Sequence, residues 1–339
     1  MNSNANTNAA NITSVNAVNP LDLSLPYEEA LLSNKEKAII ESRWDGEAVL
    51  KDGKLPDEAE VAVHDGDFHA DEVLSLVLLH LFGGFDLEQR ARTRDEAKLA
   101  TYDLRVDVGY GLLDHHKGRA EVGVAACSRV FVLLRNSGCF KELSEHTLEN
   151  LAQLVSEVAA TDTGVSEPNW ISRMVQTFNS YANATNKWMF DEAVKAVNQA
   201  VGYLLTIWEA EARAEAAAMT AIKASNEGPI VVFPEEARAA QCKELLYAHA
   251  PNAIYYISPE IRGGVATEWR VLCAADPAQE FSFKSSRRLI PEKFRSLDKE
   301  ELDRATGLTG GVFSHQAGFI AGFKTREAAE AFARLCLAS

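Results

Sequence analysis

Cysteine is scarce in this sequence, and long apolar runs are absent. The five cysteines are widely spaced and form no Cys-x-x-Cys pair, so neither a disulfide framework nor a zinc ribbon is indicated. They are Cys127, Cys139, Cys242, Cys273 and Cys336. No apolar stretch reaches the roughly 18 to 20 residues that a membrane-spanning helix needs, and a signal peptide is not recognisable. We therefore expect a soluble, cytoplasmic protein with no membrane partner.

Positive charge is also in short supply. The 339 residues contain 34 Lys and Arg against 49 Asp and Glu, which gives a net charge of -15. Proteins that coat nucleic acid through a broad basic surface need many Lys and Arg contacts to phosphate, so the composition argues against that class. An anionic substrate would need local positive charge, supplied by metal ions or by a small basic patch.

The first residues lack both charge and apolar surface. No charged side chain precedes Asp22, and Asn is frequent, so we expect a disordered leader over residues 1–26. A mitochondrial presequence is the weaker alternative, because the segment contains no arginine. The remaining sequence is rich enough in apolar residues to fold, and its length favours two domains.

Alternating strand and helix patterns predict an α/β fold. A strand is predicted over 60–64, a helix over 71–82, a second strand over 104–108 and helical structure over about 124–160. This alternation favours a parallel sheet whose ligand site lies beyond the carboxyl ends of its strands. We assign this first domain to residues 27–188.

A long amphipathic helix is predicted over 189–224, because apolar side chains recur there at steps of three and four residues. The sequence Asn-Glu-Gly-Pro ends it, and we interpret residues 189–228 as a connecting helix. Residues 229–339 are predicted to form a smaller C-terminal α/β domain. Its predicted elements are strands over 230–233, 253–257 and 311–314 and a helix over 325–337.

Two short segments about fifty residues apart combine histidine with aspartate. The first is His-Asp-Gly-Asp-Phe-His-Ala-Asp-Glu over 64–72, and the second runs from Asp107 to Lys117 and contains Asp-His-His. Together they hold four of the eight histidines in the chain. Because each segment follows a predicted strand, both should lie at the same edge of the sheet.

Imidazole and carboxylate without thiolate suit Mn²⁺, Mg²⁺, Fe²⁺ or Zn²⁺, and oxygen-rich sites favour the harder ions. Mn²⁺ is the first choice and Mg²⁺ the second. Two such ions about 3.5 to 4 Å apart can supply hydroxide at neutral pH and stabilise phosphoryl transfer. The candidate ligands are His64, His69, Asp71, Asp107, His115 and Asp162. The alternative interpretation is that the acids are solvated loop residues and that the histidines have ordinary hydrogen-bond partners, without a metal.

These motifs resemble those of the DHH phosphoesterase superfamily. More narrowly, the chain is similar to the melanocyte-proliferating-gene exonuclease family, formerly described as metal-dependent protein hydrolases. The resemblance continues in Glu-Trp-Arg-Val over 268–271, Leu-Ile-Pro-Glu over 289–292 and the segment over 311–320. It implies a DHH-type catalytic domain with a parallel sheet, joined to a smaller domain that contacts phosphate or nucleotide.

The resemblance also implies roles for single residues. The ligands would form two groups around a shared carboxylate: His64 and His69 for one ion, Asp71, His115 and Asp162 for the other, and Asp107 as the bridge. His116 would be a general acid or a donor to phosphate, and Asp114 would orient its neighbours. His315 and Gly318 resemble a substrate loop, for which a plain tight turn is the alternative.

A basic stretch in the second domain includes Arg287 and Arg288, which could guide an anionic strand. An ordinary solvated face is the alternative for each of them. Two departures from the family weaken the substrate assignment: the acidic turn Asp65-Gly66-Asp67 and the short segment between Asp107 and Asp114.

The leading hypothesis is a divalent-metal-dependent phosphoester hydrolase that acts by two-metal hydroxide attack. We interpret it as a 3′ to 5′ exonuclease on single-stranded RNA or short oligonucleotides. One alternative is a small-molecule phosphohydrolase acting on pyrophosphate, a nucleotide or a sugar phosphate. Another is a non-catalytic metal-binding protein. Whether the chain forms a homodimer is left open.

Overall fold

A computed structural model describes residues 54–116, 122–181, 187–235, 237–239, 242–276 and 286–339. The chain divides into two compact units, one up to Thr206 and the other from Ile207 to Ser339. The expected leader over 1–26 and the start of the first predicted domain lie outside the described residues.

The first unit contains a three-stranded parallel sheet. Its strands are β1 (Val61–Val63), β2 (Arg90–Arg92) and β3 (Leu104–Arg105), in the order β2-β1-β3. The predicted strands over 60–64 and 104–108 are present but shorter, and β2 was not predicted. Its sequence is Arg-Ala-Arg with all three residues half-buried, so it lacks the apolar run by which buried strands are recognised.

Helices alternate with these strands and follow them along the chain. In chain order they are α1 (Ala70–Gly83), α2 (Glu96–Leu99), α3 (Ala126–Asn136), α4 (Glu145–Asp162), α5 (Trp170–Tyr181) and α6 (Lys187–Ala224). Most of α1 is buried, because it packs against α3, α4 and α5. The helical structure predicted over 124–160 is two helices, separated at Gly138, whose φ of 70° ends α3.

Helix α6 confirms the long helix predicted over 189–224. It is 38 residues long, and the boundary between the two compact units falls inside it, after Thr206. Phe190, Val194 and Val201 are buried in its first half, whereas Ala218 and Ile222 belong to a core cluster of the second unit. Among the helices of the described residues, none is long and apolar enough to cross a membrane.

The described part of the second unit contains a six-stranded mixed sheet, three further helices and the end of α6. The strands are β4 (Ile230–Val232), β5 (Tyr255–Arg262), β6 (Val265–Cys273), β7 (Leu297–Asp298), β8 (Gly311–Ser314) and β9 (Ile320–Phe323), and the helices are α7 (Lys243–His249), α8 (Lys299–Thr306) and α9 (Arg326–Leu337). The order is β4-β5-β6-β9-β8-β7, in which only the pair β4 and β5 is parallel. The α/β class is confirmed for the chain.

All five cysteines are free thiols, and three of them are buried: Cys127, Cys242 and Cys336. Burial raises the pKa of every one of the five. For Cys273 and Cys336 the pKa is raised to about 12. These groups are therefore thiols at neutral pH.

Candidate metal centre

The ends of two neighbouring parallel strands bring the two histidine-bearing segments together. His64 directly follows β1, and Asp107 lies two residues beyond β3. Asp71 comes from the first turn of α1, and Asp162 is the last residue of α4. Four separate elements therefore direct side chains to one edge of the sheet, as expected for parallel α/β sheets.

Asp107 is the centre of this group. Its Oδ2 lies 3.3 Å from His64 Nε2, and its Oδ1 lies 3.2 Å from His115 Nδ1 and 3.3 Å from His116 Nδ1. The residue is 2% exposed, and the backbone has a φ of 56°. A non-glycine residue in this left-handed region is held there by its surroundings, a feature that clusters at functional sites.

The other candidate ligands adjoin Asp107. His115 Nε2 lies 3.1 Å from Asp162 Oδ2, and His115 Nδ1 lies 3.8 Å from Asp71 Oδ2. His69 Nδ1 lies 3.7 Å from Asp162 Oδ1. All six predicted ligands thus meet at one place.

Three groups within the described chain have ligand atoms within 4.8 Å of one another. They are His64, His69 and Asp107; His69, Asp71 and Asp162; and Asp107, Asp114, His115 and His116. The first group contains the two histidines and the bridging aspartate that are expected for one ion, and the second contains His69 where the expected set has His115. The assignment of single ligands to single ions otherwise stays a prediction.

Buried polar atoms without hydrogen-bond partners indicate that a cation fits here. Asp71 Oδ1, both carboxylate oxygens of Asp107, Glu72 Oε2 and His115 Nδ1 are buried and have no hydrogen-bond partner. Such groups are costly in a protein interior unless something compensates them. Carboxylate and imidazole ligands without thiolate suit hard or borderline divalent ions, so the donor set fits the metals expected from the sequence.

The protonation states of the cluster follow from burial and mutual charge. Burial lowers the pKa of His64, but the Asp107 and Glu72 carboxylates outweigh this and raise it to about 9. Burial likewise lowers the pKa of His115, but its carboxylate neighbours raise it to about 10. Burial raises the pKa of Glu72 to about 8 and that of Asp71 well above its ordinary value. Without a cation, the cluster therefore retains protons at neutral pH.

Binding of Mn²⁺ is expected to release protons at pH 7. His64 and His115, with pKa values of about 9 and 10, must each lose a proton to offer a ring nitrogen to the metal. Affinity should therefore rise with pH from 7 toward 9. Calorimetric titration in two buffers of different ionisation enthalpy measures the release, and a binding enthalpy independent of the buffer would contradict it.

Asp114 organises the turn that presents His116. Its Oδ2 accepts from Tyr110 N at 2.7 Å, and its Oδ1 accepts from His116 N at 3.0 Å and from His116 Nδ1 at 2.8 Å. The hydrogen bond that His116 donates to Asp114 raises the pKa of His116, against the smaller effect of burial. Asp114 is 1% exposed, whereas the His116 side chain is 53% exposed. An orienting acid and an accessible acid–base group are compatible with this geometry.

Glu72 is a member of the site to which the sequence analysis gave no role. Its Oε1 accepts from His69 N at 3.1 Å and lies 3.2 Å from His64 Nε2. The carboxylate therefore links both histidines of the first segment at the start of α1. Its position directly after Asp71, in the first turn of a predicted helix, was the available signal.

The substrate residues predicted in the second unit occupy a hairpin and a neighbouring loop. His315 and Gly318 lie between β8 and β9, where Gly318 N donates to His315 O at 2.9 Å and Ala317 N donates to His315 Nδ1 at 3.1 Å. Gly318 has a φ of 73°, so the tight turn is present. The N–H groups of Ala317 and Gly318 form hydrogen bonds within this turn. His315 is exposed, and its Nε2 is left as the donor.

The two predicted arginines differ in their surroundings. Arg287 Nη1 donates to the carbonyl oxygens of Ala250 and Ala253, at 3.1 and 2.9 Å, so it ties loops of the second unit together. Arg288 is exposed and donates to Leu337 O at 3.2 Å. Substrate binding by these residues and by His315 stays a prediction.

Comparison with known proteins gives a consistent result. The family model MYG1_exonuc, described as "Uncharacterised protein family (UPF0160)", matches residues 60–120 and 142–337. "MYG1 exonuclease" of Homo sapiens is 30% identical over 339 aligned residues, which cover 84% of this chain and 87% of the human protein. "MYG1 exonuclease" of Mus musculus is 29% identical and covers 93% of this chain and 94% of its own length.

A solved structure is also similar: RecJ in complex with Mg²⁺ from Thermus thermophilus, at 17% identity. The match covers 90% of this chain and 52% of the RecJ chain, with a TM-score of 0.24.

Proposed function

The chain belongs to the MYG1 exonuclease family, and we propose on that premise that it degrades single-stranded RNA or short oligonucleotides from the 3′ end. The family supports a hydrolase of the exonuclease kind. The choice of RNA, the polarity and Mn²⁺ as the preferred ion are our proposals. The observation that carries the proposal is the buried Asp107 carboxylate, which lies 3.3 Å from His64 Nε2 and 3.2 Å from His115 Nδ1, at the place where the candidate ligands meet.

The candidate ligands would hold two divalent cations around Asp107. His64 and His69 would bind one, and Asp71, His115 and Asp162 the other. Bound there, the cations would lower the pKa of a water nucleophile and neutralise charge on the attacking and leaving oxygens.

The protein's own groups supply the remaining functions. His64 Nε2 lies 3.3 Å from Asp107 Oδ2, whereas Nδ1 faces Asp65 O and Arg94 Nη2, so Nε2 is the ring nitrogen placed to be the ligand atom. His116 Nδ1 is bound to Asp114 Oδ1, so Nε2 is the atom that gives a proton to the leaving 3′ oxygen when the P–O bond breaks. The raised pKa of His116, caused first by Asp114, keeps that proton available near neutral pH.

The activity is tested with metal-stripped protein, Mn²⁺ and a 5′-labelled single-stranded RNA. A ladder that shortens from the 3′ end supports the proposal. Release of the labelled mononucleotide without labelled intermediates would reverse the polarity, and cleavage of DNA but not RNA would reject the substrate. No cleavage of any oligonucleotide would contradict the nuclease function.

A small-molecule phosphohydrolase is the second candidate, favoured by the net charge of -15, which disfavours long polyanions. Dependence on chain length separates the two. A nuclease gains rate as the substrate grows from two to several nucleotides, whereas a phosphatase does not. Release of phosphate from pyrophosphate alone would support the second candidate.

A further inference from the structure

The loop over residues 64–69, which we call the metal loop, carries a candidate ligand at each end. His64 and His69 have ring centroids 5.7 Å apart. Between them, Asp65 and Asp67 are exposed, and Gly66 has a φ of 95°. Exposed polar residues around a glycine give the loop little means of fixing its own shape.

Arg92, from strand β2, donates hydrogen bonds to the first half of the metal loop. Its Nε donates to His64 O at 3.1 Å, and its Nη2 donates to Gly66 O at 2.8 Å. One planar guanidinium thus holds two carbonyl groups of the loop at once, a geometry that Lys cannot reproduce. The charge of Arg92 also lowers the pKa of Glu72, against the larger effect of burial.

Asn179, from helix α5, forms hydrogen bonds with the second half of the metal loop. Its side-chain amide forms two hydrogen bonds with the backbone of Phe68: Phe68 N donates to Oδ1 at 3.3 Å, and Nδ2 donates to Phe68 O. Phe68 immediately precedes His69, so this pair fixes the peptide from which the second histidine projects.

Contacts with two aromatic rings link Arg92 to the Phe68 end of the metal loop. The Phe68 ring is 1% exposed and meets Phe190 edge to face, with centroids 5.3 Å apart. The Arg92 guanidinium lies 4.3 Å from the Phe190 centroid and 5.4 Å from that of Phe68. Cation–π contacts of this kind hold an arginine in place. Arg92, Asn179 and the two rings therefore form one assembly around the metal loop.

We propose that Arg92 and Asn179 are positioning residues that hold His64 and His69 at the spacing required by a divalent cation. The inference deepens the proposed function, since it rests on the same metal site. Neither residue is itself a ligand. Each acts through the backbone of the loop, as the partners behind metal ligands commonly do.

The test compares Arg92→Lys with Arg90→Lys. Both arginines lie on β2, but Arg90 binds Leu87 O and the Asp191 carboxylate instead of the metal loop. The two changes are chemically identical. Mn²⁺ affinity of the whole protein is measured by calorimetry, and the absorption spectrum of bound Co²⁺ reports the ligand geometry.

Arg92→Lys is expected to weaken Mn²⁺ binding by about 10- to 100-fold and to change the Co²⁺ spectrum. Arg90→Lys should bind both ions as the wild type does. Unchanged metal binding in Arg92→Lys would overturn the proposal. Equal losses in both variants would do the same, because they would reflect damage to the sheet rather than to the loop.

Asn179→Asp provides a second test that keeps the size of the side chain. It removes the Nδ2 donor to Phe68 O and should also weaken Mn²⁺ binding. Asn150→Asp is its matched control, because Asn150 Nδ2 donates to His146 O within α4, away from the metal loop. If Arg92→Lys does not fold, Asn179→Asp decides the question alone, and wild-type affinity in it would reject the proposal.

These measurements are independent of nuclease activity. A wild-type protein that binds Mn²⁺ but cleaves no substrate would contradict the proposed function, while the difference between Arg92→Lys and Arg90→Lys would still support the inference. Excess Mn²⁺ should restore activity to Arg92→Lys, which a purely structural defect would not permit.

Discussion

Replacing Asp107 with Asn is expected to lower the rate of phosphodiester hydrolysis by about a thousandfold or more, because the stabilisation that metal ions supply to the transition state is worth several kcal/mol. The substitution keeps the shape of the side chain and removes the charge that faces His64, His115 and His116. It removes the one carboxylate expected to belong to both ion sites. The measurement is the initial rate of RNA cleavage in saturating Mn²⁺.

Asn is preferred to Ala at this position for a backbone reason. Asp107 has a φ of 56°, and Asn tolerates the left-handed region better than Ala does. Asp107→Ala should also abolish turnover, but with added strain in the fold. Asp86→Asn is the control, since Asp86 is exposed and its Oδ1 caps a short helix outside the metal centre. Turnover by Asp107→Asn at the wild-type rate would remove the basis of the proposed mechanism.

Replacing Asp71 with Asn is expected to stabilise the metal-free protein while it impairs metal binding. Asp71 is fully buried, and its Oδ1 has no hydrogen-bond partner. Asn removes a charge that burial and the neighbouring Asp107 and Asp162 carboxylates disfavour, so the free energy of unfolding should rise by about 1 kcal/mol or more. Its Oδ2 accepts from Ala126 N at 3.3 Å, and the Asn carbonyl oxygen can keep that bond. Denaturant unfolding in the presence of a chelator measures the gain.

The pH dependence of this gain has a definite sign. Burial, together with the charges of Asp107 and Asp162, raises the pKa of Asp71 in the folded protein. Stability due to this group is therefore fully present below its unfolded pKa of about 4 and is lost as the pH rises toward the folded value. The advantage of Asp71→Asn should be small near pH 4 and larger at pH 7.

Addition of Mn²⁺ should reverse the order of stability. A ligand at 100 times its Kd adds about 2.7 kcal/mol to the unfolding free energy of a protein that binds it, so the wild type should gain and the variant should not. If Asp71→Asn were less stable than the wild type in chelator, the carboxylate would be a structural group rather than one placed for a cation.

Much of the metal centre could be predicted because its ligands follow simple rules of chain order. His64 and Asp107 come after neighbouring strands, so the parallel sheet alone places these two residues at one edge. The type of residue then indicates the chemistry. Glu72 was visible in the same motif, but its contacts to His64 and His69 depend on how α1 begins, which local sequence does not specify.

The residues that hold the metal loop, Arg92 and Asn179, could not be predicted in the same way. Arg92 lies in a strand without an apolar pattern, and its partners His64 and Gly66 are more than 25 residues away. Asn179 lies 111 residues from Phe68 in a helix that the sequence analysis did not separate from its surroundings. Such contacts arise from tertiary packing, and no local periodicity reports them.

The raised pKa values of the five thiols should make oxidants poor regulators of this protein. Only thiolate reacts readily with peroxide, and a raised pKa leaves little thiolate at neutral pH. Cys127 is the cysteine that the candidate metal ligands influence most directly. Its pKa is raised first by burial and then by the charges of Asp71 and Asp162. Metal titrations can therefore be run without thiol reductants, which chelate the ions being measured. The supply of metal, rather than the redox state of the cysteines, should set how much protein is active.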